Sequence, residues 1–113
     1  MPMVGLGTYG VSDAKTVVDA LDIGYRHLDC AAIYGNEHVV GQAIRPFIDQ
    51  GRRAELFLTS KLWNDCHAPG AVRAACEKTL KDLGESVELR KLRAANCNFF
   101  NEAALCCALL GRP

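Results

Sequence analysis

Apolar and polar positions along the 113-residue chain alternate between two periods. Val4 to Thr8 is a short apolar run broken by glycines and reads as a strand ending in a tight turn. Ser12-Asp13 offers a helix N-cap, and Val17, Val18, Leu21 and Ile23 follow at helical spacing before Gly24. Tyr25 to Cys30 reads as a second strand. Asn36 to Gln50 reads as a helix with Val39, Val40, Ala43, Ile44 and Phe47 on one face and Gly51 as its stop. Pro46 inside that stretch predicts a kink or an early end. Leu56 to Lys61 is a third strand, and Pro69 to Leu83 a third helix that starts with Pro and stops at Gly84. Glu85 to Arg93 is charged and poorly periodic. Leu92 to Cys97 reads as a weak strand, and Asn101 to Leu110 as a helix capped near Asn101 and stopped at Gly111.

The first 84 residues thus alternate strand and helix three times. Such alternation predicts an α/β fold with parallel strands and helical crossovers. Periodicity alone leaves a doubly wound sheet and part of a (β/α) barrel both open. Half of the residues are hydrophobic and 23% are charged, a globular composition for one small domain. Thirteen basic residues balance thirteen acidic ones. That balance argues against nucleic acid or an anionic membrane as partner, because both need a positive excess. No apolar run approaches the ~18 residues of a membrane span. Met1-Pro2-Met3-Val4-Gly5 lacks the charged and apolar regions of a secretory signal, so a cytoplasmic location is expected. The six cysteines (Cys30, Cys66, Cys76, Cys97, Cys106 and Cys107) form no C-x-x-C pair. They are expected to be reduced, mostly buried thiols rather than a metal site or a disulfide framework.

In parallel α/β architectures ligands sit at the carboxyl ends of the strands. The first predicted strand ends Gly7-Thr8-Tyr9-Gly10. The second ends at Asp29, with Tyr34 in the loop that follows, and the third at Lys61, followed by Leu62-Trp63. An acid, a phenol and an amine therefore project from neighbouring ends. A tyrosine, with an ordinary pKa of about 10, is a poor proton donor near neutrality. A nearby ammonium stabilises the phenolate, and a carboxylate holds the ammonium in place. Such a trio suits a general acid that protonates a carbonyl oxygen. On spacing alone, a plain Asp–Lys ion pair beside an amphipathic Tyr is the weightier reading. His27 falls on the same side of its strand as Asp29 but deeper, and is read as structural. His38 and His67 are read as solvated.

Longer motifs reverse that weighting. Met1-Pro-Met-Val-Gly-Leu-Gly-Thr-Tyr9, Gly24-Tyr-Arg-His-Leu-Asp-Cys-Ala-Ala-Ile-Tyr-Gly-Asn-Glu37 with Val40-Gly41, Thr59-Ser-Lys-Leu-Trp63, and Lys78-Thr-Leu-Lys-Asp-Leu-Gly84 resemble the aldo-keto reductases over residues 1–84. The resemblance implies a (β/α)8 TIM barrel that reduces aldehydes and ketones with NADPH. Carried over by position, it implies Tyr34 as the proton donor, Lys61 as the lysine that acidifies it, and Asp29 as the carboxylate that holds the lysine. It also implies Gly7, Thr8 and Asp29 as cofactor contacts, and Tyr9, Ile33 and Trp63 as walls of the substrate pocket.

The resemblance breaks after Gly84. The family's fourth strand ends in a histidine followed by Trp-Pro, which completes the catalytic tetrad, and Glu85-Ser-Val-Glu-Leu-Arg-Lys-Leu-Arg-Ala94 does not match it. Residues 90–113 resemble a later strand–helix unit, through Leu92-Arg-Ala-Ala-Asn-Cys-Asn-Phe-Phe-Asn-Glu-Ala-Ala-Leu105. There Asn98 or, with a one-residue shift, Phe99 stands where the family holds the nicotinamide amide. The expectation is one incomplete domain over residues 1–113: a partial (β/α)8 barrel of about four β/α units, with an internal deletion. Whole barrels need roughly 250 residues. Three readings follow: a carbonyl reductase of impaired activity, a non-catalytic relative that pairs its open sheet edges with itself or another chain, or a product with no function of its own.

Overall fold

The computed structural model describes residues 1–84 and the backbone of residues 91–94. Four strands form one parallel sheet in the order β1 (Leu6–Gly7), β2 (His27–Asp29), β3 (Phe57–Leu62) and β4 (Lys91–Ala94). Helices α1 (Ala14–Asp22), α2 (Glu37–Asp49) and α3 (Pro69–Leu83) follow the first three strands. Leu28 lies opposite Leu6 and Leu58, and Asp29 opposite Gly7 and Thr59.

Alternation along β2 and β3 assigns two faces. Leu28, Cys30 and Leu58 join Val17 and Leu21 of α1, Val40, Ala43 and Ile44 of α2, and Leu83 of α3 in one buried cluster. A smaller cluster of Leu62, Val72 and Cys76 extends it along α3. All three helices therefore cover the same face, which is barrel-like; a doubly wound sheet carries helices on both. On the other face His27 meets Phe57 edge-on, with ring centroids 5.1 Å apart. Asp29 there contacts both Thr59 and Lys61.

The helices begin and end for local reasons. Asp13 caps α1 by accepting from the Thr16 N–H at 3.0 Å. Ile23 falls at the C-cap and is 79% exposed, so it leaves the apolar face that Val17 and Leu21 define. α2 runs through Pro46 to Asp49 instead of ending early. Pro46 lies in its last turn, and its carbonyl still accepts from Gln50. α3 has the predicted bounds.

The first two strands are shorter than the apolar runs that predict them. The backbone of Tyr25 is used in closing α1, its N–H donating to the Ala20 carbonyl at 2.9 Å. β2 therefore starts at His27, and the register pairs of β1 on it are Leu6 with Leu28 and Gly7 with Asp29. Met3 and Val4 stay exposed. Of the weak strand expected at Leu92 to Cys97, residues 92–94 pair in parallel with β3. Its remainder and the helix at Asn101 to Leu110 lie outside the described residues.

At Gly41, α2 lies directly against the backbone of α3. A Cβ there would collide with the Asp82 carbonyl oxygen and lie 3.1 Å from the Leu83 Cα. Alanine in place of glycine gains up to about 1 kcal/mol of helix propensity. Overpacking against backbone costs about 1–3 kcal/mol, and backbone cannot rotate aside. Gly41→Ala is therefore expected to lower stability, read as a lower denaturant midpoint. A midpoint equal to or above the parent's would show that α2 and α3 separate freely.

Candidate active site

β2 ends at Asp29 and the chain turns through a 3-10 turn, Ala32–Tyr34, before α2 begins. The Tyr34 N–H closes that turn on the Ala31 carbonyl at 3.0 Å, and Gly35, at φ 67°, makes the left-handed step into α2. On β3, Thr59 and Lys61 share the face of Asp29.

These placements converge on one ammonium. Lys61 Nζ donates to Asp29 Oδ2 at 2.7 Å, to the Cys30 carbonyl at 2.9 Å and to the Tyr34 hydroxyl oxygen at 3.4 Å. Three N–H donors thus meet three acceptors. The ammonium also lies 5.1 Å from the Tyr34 ring centroid. The second carboxylate oxygen of Asp29 accepts from Thr59 Oγ1 at 2.8 Å. With that hydroxyl's only proton so used, His27 Nε2, 3.3 Å from the same oxygen, is the donor to it. His27 is half-buried and buttresses Asp29 through Thr59.

Burial works against both charges, and the pairing outweighs it. It pushes the Asp29 carboxyl up, but hydrogen bonds from Lys61 and Thr59 leave the group below its ordinary value. It pushes the Lys61 amine down, but Asp29 and Tyr34 hold the amine above its ordinary value. Burial pushes the Cys30 thiol up to about 12, so it is protonated near neutrality.

The expected pocket walls divide. Ile33 and Trp63 line a cavity of about 190 Å³ together with Lys61, Leu62 and Cys66. Tyr9 lies outside it, 81% exposed, with its ring edge against Tyr34 at 5.2 Å. Thr8 is fully buried, and its N–H and hydroxyl both donate to the Asp29 carbonyl. Around a Cβ built on Gly7, by contrast, there is open space. Asn98 lies outside the described residues, as do Cys97, Cys106 and Cys107. His38 is exposed as expected. His67 is half-buried rather than solvated, because the 3-10 turn Asn64–Cys66 just before it packs against α3.

Sequence reasoning missed Thr59, although it sits two residues before Lys61 and so shares its face. It also missed Asn36 and Glu37 as functional candidates. The Asn36 amide donates to the Thr8 and Val11 carbonyls at 2.7 and 2.8 Å. The buried Glu37 carboxylate accepts from Ser60 Oγ at 2.5 Å and from Thr79 Oγ1 at 2.9 Å.

Residues 5–88 match the sequence model of the Aldo/keto reductase family. The chain belongs to that family. It is 52% identical over 89 residues to an aldo/keto reductase of Synechocystis, a match over 74% of this chain and 27% of that protein. Among solved structures, the aldose reductase of Schistosoma japonicum superposes with a TM-score of 0.68 at 44% identity, over 81% of this chain and 31% of its own. The Bombyx mori aldo-keto reductase in complex with NADP gives 0.66 at 39% identity, over 81% and 32%. The chain thus spans under a third of the length of these aldo-keto reductases, and its sheet and helices are part of their (β/α)8 barrel.

The charge pair generates a pH signature. A carboxylate held below its ordinary pKa adds stability that is complete above about pH 4, its unfolded value, and is lost as pH falls through the lower folded value. At neutral pH, Asp29→Asn is expected to destabilise the chain by about 1 kcal/mol, because both partners are part-exposed and screened. Melts between neutrality and acid should show that difference shrinking once the pH drops below about 4. A difference independent of pH would mean that Asp29 acts by packing alone.

Proposed function

We propose that this chain carries the proton-donating part of a carbonyl reductase site, with Tyr34 as general acid, Lys61 as its activating cation and Asp29 as the anchor of Lys61. The observation that carries the proposal is the single ammonium bridging the Asp29 carboxylate and the Tyr34 hydroxyl. A cation beside the phenol oxygen stabilises the negative charge that remains when the proton leaves, and the carboxylate keeps the cation charged and in place. Proton transfer of this kind contributes roughly 10²–10⁴-fold to a rate.

The cofactor in this reading is NADPH, which supplies the hydride when bound. Open space over Gly7, next to the part-exposed Asp29 carboxylate, supports its placement at the mouth of β1 and β2. The 190 Å³ cavity is too small for a dinucleotide, since ligand sites run from about 300 Å³ upward. With Ile33, Trp63 and Lys61 in its lining, it suits the apolar side of a small aldehyde or ketone. Asn98 is a further proposed cofactor contact. A cytoplasmic setting belongs to the same reading, supported by Cys30 and Cys76 serving as small buried core residues. Among the described residues no helix is long and apolar enough to cross a membrane. A second reading, association through open sheet edges, is favoured by exposed Met3 and Val4 just before the two-residue strand β1.

Two measurements test the proposal. Saturating NADPH should raise the melting midpoint, since about 100-fold excess over Kd adds ~2.7 kcal/mol. Tyr34→Phe should reduce NADPH-dependent aldehyde turnover at least 10²-fold while leaving that cofactor-induced shift in place. A Tyr34→Phe chain that turns over like the parent would refute the assignment. A melt indifferent to NADPH, with no turnover, would favour the associating reading.

A further inference from the structure

We infer that Asn36 and Glu37 are positioning residues that hold the phenol of Tyr34 against the ammonium of Lys61. The inference rests on the Tyr34–Lys61 reading above and deepens it. Neither side chain bonds to the phenol or the ammonium. Both bind elements that flank the pair.

The path between them is a short closed ring. Tyr34 runs through Gly35 and Asn36 to Glu37. Glu37 Oε1 accepts from Ser60 Oγ, Ser60 is covalently joined to Lys61, and Lys61 Nζ returns to the Tyr34 hydroxyl. Ser60 faces the helices while Lys61 faces the opposite side, so the clamp grips β3 from behind and leaves the reacting face clear. The other oxygen of Glu37 accepts from Thr79, which fixes α3 to the same point. Asn36 ties the start of α2 to the loop after β1, where Tyr9 packs on the Tyr34 ring.

Neither residue does what its position ordinarily calls for. Asn36 occupies the N-cap of α2, yet its side chain caps nothing and reaches 25 and 28 residues back along the chain. Its Oδ1 is buried without a hydrogen-bond partner among the described residues. Glu37 is 3% exposed and meets two hydroxyl groups, where a first-turn glutamate usually meets water. Buried polar groups this costly are explained if they fix the geometry beside them.

The test reads the Lys61 amine by NMR titration of the lysine-labelled 113-residue chain. Asp29 and Tyr34 act directly on that amine, the Cys30 thiol is near it, His27 acts on Asp29, and Asp65 and Lys78 line the same cavity. All of these keep their identity in the single clamp variants at positions 36, 37 and 60. First, Tyr34→Phe should lower the amine's titration midpoint, because the phenol oxygen no longer accepts from the ammonium. No change there would refute the Tyr34–Lys61 reading itself, and the inference with it. Given that fall, Glu37→Ala, Asn36→Ala and the milder Ser60→Ala should each lower the midpoint towards the Tyr34→Phe value. Adding Tyr34→Phe to Glu37→Ala should then take it no lower than Tyr34→Phe alone. Glu37→Gln, which keeps an acceptor for Ser60, should restore it. Clamp variants that melt earlier but keep the parent's Lys61 titration would overturn the inference and leave Asn36 and Glu37 as struts only. Ser60→Ala and Glu37→Gln keep the test decisive if an alanine at 36 or 37 prevents folding.

Discussion

The side chain of Lys61 is 26% exposed at the mouth of the sheet, and a cation drawn partly out of water needs its charge and all three donors answered. Every answer comes from one stretch of six residues: Asp29 at the end of β2, the Cys30 carbonyl next to it, and Tyr34 on the turn beyond. The requirement ties strand register to chemistry. Asp29 lies opposite Thr59, so Lys61 projects two residues further along the same face and meets the β2 turn. A slip of one residue would carry Lys61 to the helix side and bring Ser60 to the mouth.

The two faces of the sheet divide stability from chemistry, and magnitudes say which does which. Each leucine buried on the helix face contributes about 1.5–3 kcal/mol. Leu21, Leu28, Leu56, Leu58 and Leu83 are all buried there. A part-exposed ion pair contributes about 0–1 kcal/mol. Folding is therefore carried by the helix face, and the opposite face holds polar groups whose geometry matters more than their energy. Ser60 and Glu37 are the exception. They place a polar contact within the stabilising layer, beside the strand position that bears the lysine.

What is legible in the sequence follows from how local each signal is. The helix faces and their glycine stops are local, and α3 spans Pro69–Leu83 as its pattern predicts. Strand ends are less local: Tyr25 looks like strand, but its backbone closes α1. Asp29, Tyr34 and Lys61 are legible because each stands at or just after a strand mouth, and the longer motifs then separate them from an ordinary ion pair. The hidden part depends on register and on distant partners. Thr59 is one hydroxyl among many until β2 is set beside β3. Glu37 reads as a common first-turn acid, and its partners lie 23 and 42 residues away. His67 reads as a loop residue, and only the packing of the preceding turn on α3 draws it inward.

Locality also explains how a chain spanning under a third of its relatives' length can hold the complete ion-pair geometry. The contacts of Lys61 with Asp29, Cys30 and Tyr34 close over separations of 27 to 32 residues. All of them lie within the continuous unit β2–α2–β3. The Glu37 clamp closes in the same unit and borrows only Thr79 from α3. No link in that ring requires a strand beyond β3. A site that must enclose a dinucleotide is different in kind, because it needs surfaces from many strand mouths, and the cavity lined by Lys61 is smaller than such a ligand. The Asp29–Lys61–Tyr34 geometry is thus a short-range property of two strands and the helix between them, whereas enclosing a dinucleotide takes a whole ring of strand ends.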